Sequence, residues 1–251
     1  METPSSSHNH PPATNLFMAL FRAFIDILFP PKCLICMRHS IEQEICTQCT
    51  ASFKPLISPL CILCGSPFLT EGDDNHRCGN CIKEIPPFDI AASLFYYEEK
   101  MALAIQKLKY SKKSSLAAHL GKLLSEHPIT ENVFDLIIPV PLHLSRLRER
   151  GFNQSQLIAK ELGRNISCNV KASLLERIKP TLPQVGMKRK ERILNVKGAF
   201  QLREDVDLRG KSILLIDDVF TTGATVGECS KILKKGGANE VSVLTLARVI
   251  L

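Results

Sequence analysis

No stretch of this sequence reads as an export leader or a membrane span. The candidate is Asn15 to Pro30, NLFMALFRAFIDILFP, which carries Arg22 and Asp26 and lacks both a basic leader and a small-residue cleavage site. It is also shorter than the roughly 20 apolar residues that cross a bilayer as a helix. Without an export signal, a disulfide framework is not expected. Two nucleotide signatures are missing as well. The lack of GxxxxGK[ST] argues against a P-loop ATPase, and the lack of GxGxxG against a dinucleotide fold.

In residues 15–30, Leu16, Leu20, Phe24 and Leu28 recur every fourth position, which predicts an amphipathic helix packing on the rest of the protein. Its single basic residue argues against membrane-surface binding. Residues 1–14, METPSSSHNHPPAT, read as a disordered tail in which His8 and His10 are solvated. A chain of 251 residues with 45% hydrophobic content can bury one ordinary domain and leave room for a small accessory module. Its formal charge of +7 suits polyanionic partners, nucleic acid or phosphorylated metabolites.

Eight of the ten cysteines form four CxxC pairs: Cys33 and Cys36, Cys46 and Cys49, Cys61 and Cys64, Cys78 and Cys81. Each pair can offer two thiolates to one tetrahedral ion, so two pairs joined by a hairpin complete a four-cysteine zinc site. The gaps, 9 residues between Cys36 and Cys46 and 13 between Cys64 and Cys78, suit zinc ribbons. Pairing in sequence order gives two sites, and spacing alone leaves a crossed pairing open. With four thiolates per ion there is no open position, so the metal is expected to be structural. An iron–sulfur cluster would use the same ligands. Cys168 and Cys229 read as small buried hydrophobes.

After the turn-rich IPPFD, strands are expected at Ile90 to Tyr97, Phe134 to Val140, Ser212 to Ile216 and Glu240 to Ala247. Helices are expected at Met101 to Leu108, Leu116 to Leu124, Asn153 to Leu162 and Val226 to Lys235, the last closed by Gly236 and Gly237. Strands alternating with helices imply an α/β fold, a parallel sheet with helices on both faces. Ligands of such sheets sit at the carboxyl ends of the strands, where helix N-termini converge. The stretch Ile213 to Thr225, ILLIDDVFTTGAT, fits that place. Asp217 and Asp218 mark the end of a buried strand, and Thr221, Thr222, Gly223, Ala224 and Thr225 turn into a helix. Backbone N–H groups and threonine hydroxyls of such a turn can cradle a phosphate, with Gly223 allowing close approach. A helix cap after a core strand would explain one polar residue there, not two acids, three threonines and a glycine.

These thirteen residues resemble the phosphoribosyl pyrophosphate signature of type I phosphoribosyltransferases. The resemblance implies that Asp217 and Asp218 hold the ribose hydroxyls directly or through Mg²⁺, and that Thr221 to Thr225 hold the 5′-phosphate. It also implies a pyrophosphate loop after the first core strand, from Val140 and Pro141 through Arg146, Arg148 and Arg150 to Gly151, whose guanidiniums suit a diphosphate. Asn153 and Gln154, at the start of the next helix, could cap it or face the ligand. Residues Gln184 to Phe200, basic and interrupted by Gly186 and Gly198, read as a lid bringing Lys188, Arg189, Lys190 and Arg192 over the pyrophosphate, or as a solvated loop.

A narrower resemblance rests on the CxxC pairs, VPLHLSRLRERGFNQSQLIA at 140–159 and the phosphoribosyl motif taken together. The chain is similar over residues 24–248 to the ComF family, also called ComFC or GntX-like proteins, of natural transformation. That likeness implies a double zinc ribbon over 31–84 and a phosphoribosyltransferase-like domain over 88–251. It further implies single-stranded DNA and other competence proteins as partners, and a cytoplasmic place peripheral to the inner membrane. Lys107, Lys109, Tyr110, Lys112 and Lys113 combine charge with a ring, as in single-strand binding surfaces. No base-recognition motif and no general base is evident, so a transferase and a non-catalytic binder both stay open.

Overall fold

The computed structural model describes residues 30–40, 44–68, 74–110, 114–182, 186–203 and 206–250, with positions 18, 20, 21, 24 and 25. Among the described residues the first elements with defined bounds are two five-residue helices, α1 (Thr47–Ala51) and α2 (Gly79–Lys83), each starting directly after the third cysteine of its set. Then come β1 (Ile90–Tyr96), α3 (Glu99–Tyr110), α4 (Ser114–Ser125), β2 (Leu136–Pro139), α5 (Leu144–Arg150), α6 (Gln154–Asn165) and β3 (Leu175–Arg177). The chain ends through α7 (Arg189–Val196), β4 (Phe200–Leu202), β5 (Ser212–Phe220), α8 (Ala224–Lys235) and β6 (Glu240–Arg248).

The expected parallel sheet flanked by helices is present, with strand order β1-β6-β5-β2 and every pair parallel. Strands covered on both faces need apolar residues at every position, and Ile213 to Ile216 are all fully buried. Alternate residues then feed two cores. Ile137, Leu214, Ile216, Leu244 and Leu246 join the core built by α3, α4 and α6. Ile138, Ile213, Leu215, Val241 and Val243 join the other, capped by Val226, Cys229 and Leu233 of α8.

Each core also takes in one set of cysteines. Cys33 and Cys49 pack with Met101 and Leu116 on the first face; Cys61, Cys64 and Cys81 pack with Phe88, Phe220 and Val226 on the second. Both ribbons are also hydrogen-bonded to β1. The Leu56 N–H donates to the Leu94 carbonyl at 2.8 Å, and the Ala91 N–H to the Leu63 carbonyl at 2.7 Å. Gly65 sits against that second contact at φ +67°, where a Cβ would stand 2.6 Å from the Ala91 carbonyl oxygen.

Several expectations need correction. The strand expected to end at Ile216 runs on through both acids to Phe220, because Asp217, Val219 and Phe220 stay in register with Thr245, Ala247 and Arg248 of β6. The segment expected as a pyrophosphate loop is mostly helix, α5, started by His143, whose Nδ1 accepts the Ser145 N–H. The segment read as a lid or a solvated loop contains helix α7, and β3 pairs antiparallel with β4 beside it. Leu20 and Phe24 are helical but 62% and 57% exposed, so they do not pack on the rest of the protein as expected. Leu16, Leu28, residues 1–14, Lys112, Lys113 and Gln184 lie outside the described residues. Among the described residues no helix is long and apolar enough to cross a membrane.

With a cysteine set built into each core, chelation of the metal is expected to destabilise the whole sheet. A loss of even ~5 kcal/mol lowers the midpoint of a domain this size by roughly 10–20 °C. Circular dichroism of chelator-treated protein should show one broad transition at lower temperature; a sheet melting at the untreated midpoint contradicts this.

Candidate ligand cleft and metal centres

The thiols gather in sequence order. Cys33, Cys36, Cys46 and Cys49 form one group and Cys61, Cys64, Cys78 and Cys81 the other, with all sulfurs of a group within 4.8 Å of one another. The Cys36–Cys46 and Cys64–Cys78 sulfurs are 3.8 Å apart. Tetrahedral zinc with bonds of about 2.3 Å spaces its sulfurs at about 3.8 Å, so the residues fit that ion. The same spacing is too tight for a multi-iron cluster. Backbone N–H groups of Ile35 and Cys46 point to Cys33 Sγ, and that of Cys78 to Cys61 Sγ, as thiolates require. Four adjacent thiols cannot all ionise unaided. Burial and then its neighbours push Cys49 up to about 12, while the Arg38 guanidinium brings Cys36 down to about 6. A divalent cation relieves that conflict. Cys229 is buried, as expected, and Cys168 is half-buried with its thiol donating to the Phe134 carbonyl.

At the carboxyl end of β5 the two acids differ sharply. Asp217 Oδ1 accepts the Ser155 hydroxyl at 2.9 Å and the Asp218 N–H at 2.9 Å. Burial, then the charge of Asp218, raises the Asp217 carboxyl to about 7. Asp218 Oδ2 lies 2.5 Å from Lys109 Nζ. Burial would raise this carboxyl too, but the ammonium outweighs it and holds Asp218 below the usual carboxylate range.

Beyond Phe220 the chain bends through Thr221 and Thr222 to Gly223, which caps α8 at φ +76°. A Cβ at 223 would stand 2.7 Å from the Phe220 ring, so glycine is required by backbone and space together. The first N–H groups of the twelve-residue helix α8 lack intrahelical acceptors and carry the positive end of its dipole.

The acids and the turn open onto one cleft of about 660 Å³. Of the residues expected here, Val140, Pro141, Arg146, Arg150, Arg192, Asp217, Asp218, Thr221, Gly223, Ala224 and Thr225 line it. Arg148 and Lys188 are exposed elsewhere. Thr222 and Arg189 face a second cavity, of about 370 Å³, behind the turn, where Arg189 Nη1 points to the Thr222 carbonyl. Asn153 resolves to a cap: its side chain accepts the Ser155 N–H and donates to the Val140 carbonyl. Gln154 lines the cleft and accepts from Arg150.

Three cleft residues escaped the sequence reading in these roles. Lys109, read as a DNA-tracking lysine, is the partner of Asp218; its signal was the helical stripe of Met101, Ile105 and Lys109. Ser155, which follows Asn153 and Gln154 on α6, holds Asp217. Arg177, on β3, lines the cleft with a buried Nε that has no hydrogen-bond partner among the described residues, its guanidinium 5.3 Å from the Phe200 ring centre. No spacing ties it to the acids; only the antiparallel pairing of β3 with β4 brings it there.

The raised carboxyl of Asp217 has a thermodynamic consequence. Its folded value near 7 exceeds the unfolded value of about 4, so its contribution to stability is complete below pH ~4 and is lost as pH rises through about 7. Asp217→Asn keeps the accepting oxygen without the charge. Thermal melts of unliganded protein should show the variant gaining on wild type from pH 5 to pH 8; a gap constant with pH contradicts the assignment.

A family model described as Double zinc ribbon domain matches residues 24–82. Competence protein F of Haemophilus influenzae is 31% identical over 226 residues, covering 86% of this chain and 96% of that protein. DNA utilization protein YhgH of Salmonella typhi is 32% identical over 229 residues, 88% of this chain and 98% of that one. Competence protein ComFC of Bacillus subtilis is 26% identical over 222 residues, 82% and 85% of the two chains. Among solved structures, a purine phosphoribosyltransferase from Pyrococcus horikoshii matches 53% of this chain and 86% of its own at 17% identity and a TM-score of 0.33, a distant likeness. Identity above 30% along almost the whole of both chains is decisive: this chain belongs to the competence protein F, or ComF, family.

Proposed function

We propose that this chain binds phosphoribosyl pyrophosphate in the cleft at the carboxyl ends of β2 and β5, and acts in the handling of internalised single-stranded DNA during natural transformation. The observation that carries the reading is the convergence of a buried acid pair, a glycine-capped helix N-terminus and several arginines on one cleft. Asp217 and Asp218 would take the ribose hydroxyls, and the turn from Thr221 to Thr225 the 5′-phosphate. Arg146, Arg150, Arg177 and Arg192 would hold the diphosphate by paired hydrogen bonds. Lys109 already neutralises Asp218, so Mg²⁺ would come with the diphosphate. The relatives' names, competence and DNA utilization, support the DNA setting.

One observation favours a second reading, a non-catalytic single-strand binder that uses the phosphoribosyl site for sensing. Tyr110 is 73% exposed at the cleft rim with the Arg150 guanidinium 5.5 Å from its ring centre, a platform on which a base can stack. The two readings part on bond breaking. A transferase breaks the bond between C1′ and the diphosphate when an acceptor is present; a sensor leaves it intact.

Calorimetry with phosphoribosyl pyrophosphate and Mg²⁺ should show one site per chain. Asp218→Asn and Arg177→Ala should each weaken it about tenfold or more, about 1.4 kcal/mol. No binding by wild type, or equal binding by both variants, would sink the proposal. Pyrophosphate release in the presence of candidate bases or single-stranded DNA then selects the transferase; binding without release selects the sensor. Single-strand affinity should fall steeply as salt is raised.

A further inference from the structure

One buried side chain joins the second cysteine centre to the phosphate turn. Arg248, the last residue of β6, is 7% exposed. Its Nη1 donates to the Cys64 carbonyl at 2.6 Å, and its Nη2 lies 3.6 Å from Cys64 Sγ. On the other side the guanidinium lies 4.2 Å from the centre of the Phe220 ring. Phe220 pairs in register with Arg248, and its ring fills the space where a side chain at Gly223 would stand. The contacts therefore run unbroken from Cys64 through Arg248 and Phe220 to the glycine that starts α8.

Two features make this chain of contacts consequential. The first is charge: an ion held by four thiolates carries a net 2− and, where buried, needs a counter-charge. Arg248 is a buried cation whose side-chain hydrogen bonds all go to Cys64 among the described residues. The second is packing. Behind the turn lies the cavity of about 370 Å³, bordered by Cys64, Phe88, Phe220, Thr222 and Arg248. Among the described residues Thr222 Oγ1 has no hydrogen-bond partner, and it is buried there. The turn is thus not backed by solid core, and its place depends on the Phe220 ring and on what holds that ring.

We propose that Arg248 is a positioning residue that couples metal occupancy at Cys61, Cys64, Cys78 and Cys81 to ligand affinity at the phosphate turn; the ligand half rests on the phosphoribosyl reading of the cleft. The metal-bound thiolate fixes the guanidinium, the guanidinium flattens the Phe220 ring against the turn, and the turn keeps its N–H groups aimed into the cleft. Loss of the ion frees all three. Such coupling is reciprocal, so ligand must also strengthen retention of this ion. The first centre, on the opposite core, is the internal control.

The test is zinc release from the two-zinc protein to a colorimetric chelator, with and without phosphoribosyl pyrophosphate, alongside calorimetry. In wild type the ligand is expected to slow release of one ion about tenfold and leave the other unchanged. Arg248→Met should speed release of one ion and weaken ligand binding about tenfold. Arg248→Lys keeps the charge without the fork and the stacking, so it should restore zinc retention but not affinity. Phe220→Leu should weaken affinity while release without ligand stays at the wild-type rate. Ligand that slows both ions or neither overturns the proposal, as does Arg248→Met protein with two zincs and wild-type affinity. Wild type that binds no phosphoribosyl pyrophosphate overturns the reading of the cleft, and the coupling with it.

Discussion

Two neighbouring carboxylates buried at the end of a central strand repel one another and lose water together, and the surrounding structure answers that problem. Asp218 keeps its charge because Lys109 reaches it from α3, and Asp217 accepts hydrogen bonds from Ser155 of α6 and from the Asp218 amide. Those two helices pack on the same face of the sheet, in the core that contains Leu214 and Ile216. The strand can carry the acids so far only because β6 continues beside it to Arg248. The site is therefore set by long-range packing as much as by its own thirteen residues.

Much of this was legible in the sequence, and the reason is local chemistry. The run of apolar residues in β5, the paired acids and the glycine-bearing turn specify strand, charge and a capped helix start within one segment. The CxxC spacings likewise specify the thiol pairs, because each pair is a local device, while the fold decides which pairs stand together. What stayed hidden depends on distance along the chain. Arg177 reaches the cleft through an antiparallel pair of three-residue strands, far apart in the chain, that no periodicity announces. The arginines after Val140 suggested a loop because charge masked the short helix α5, whose only apolar positions are Leu144 and Leu147.

The ribbons show the same limit differently. Spacing gave their ligands but not their place, one on each face of the sheet and both hydrogen-bonded to β1. In that position they are parts of the two cores, and the second stands directly behind the turn. A metal that closes its own coordination shell can then influence a cleft it never touches.

The central claim is that the first turn of α8 cradles the 5′-phosphate of a phosphoribosyl ligand. Amide hydrogen exchange read residue by residue with and without phosphoribosyl pyrophosphate addresses it directly. The account predicts that protection rises at the amides from Thr221 to Val226, and that Asp218→Asn diminishes it. Protection confined to other surfaces, or none at saturating ligand, would contradict the account.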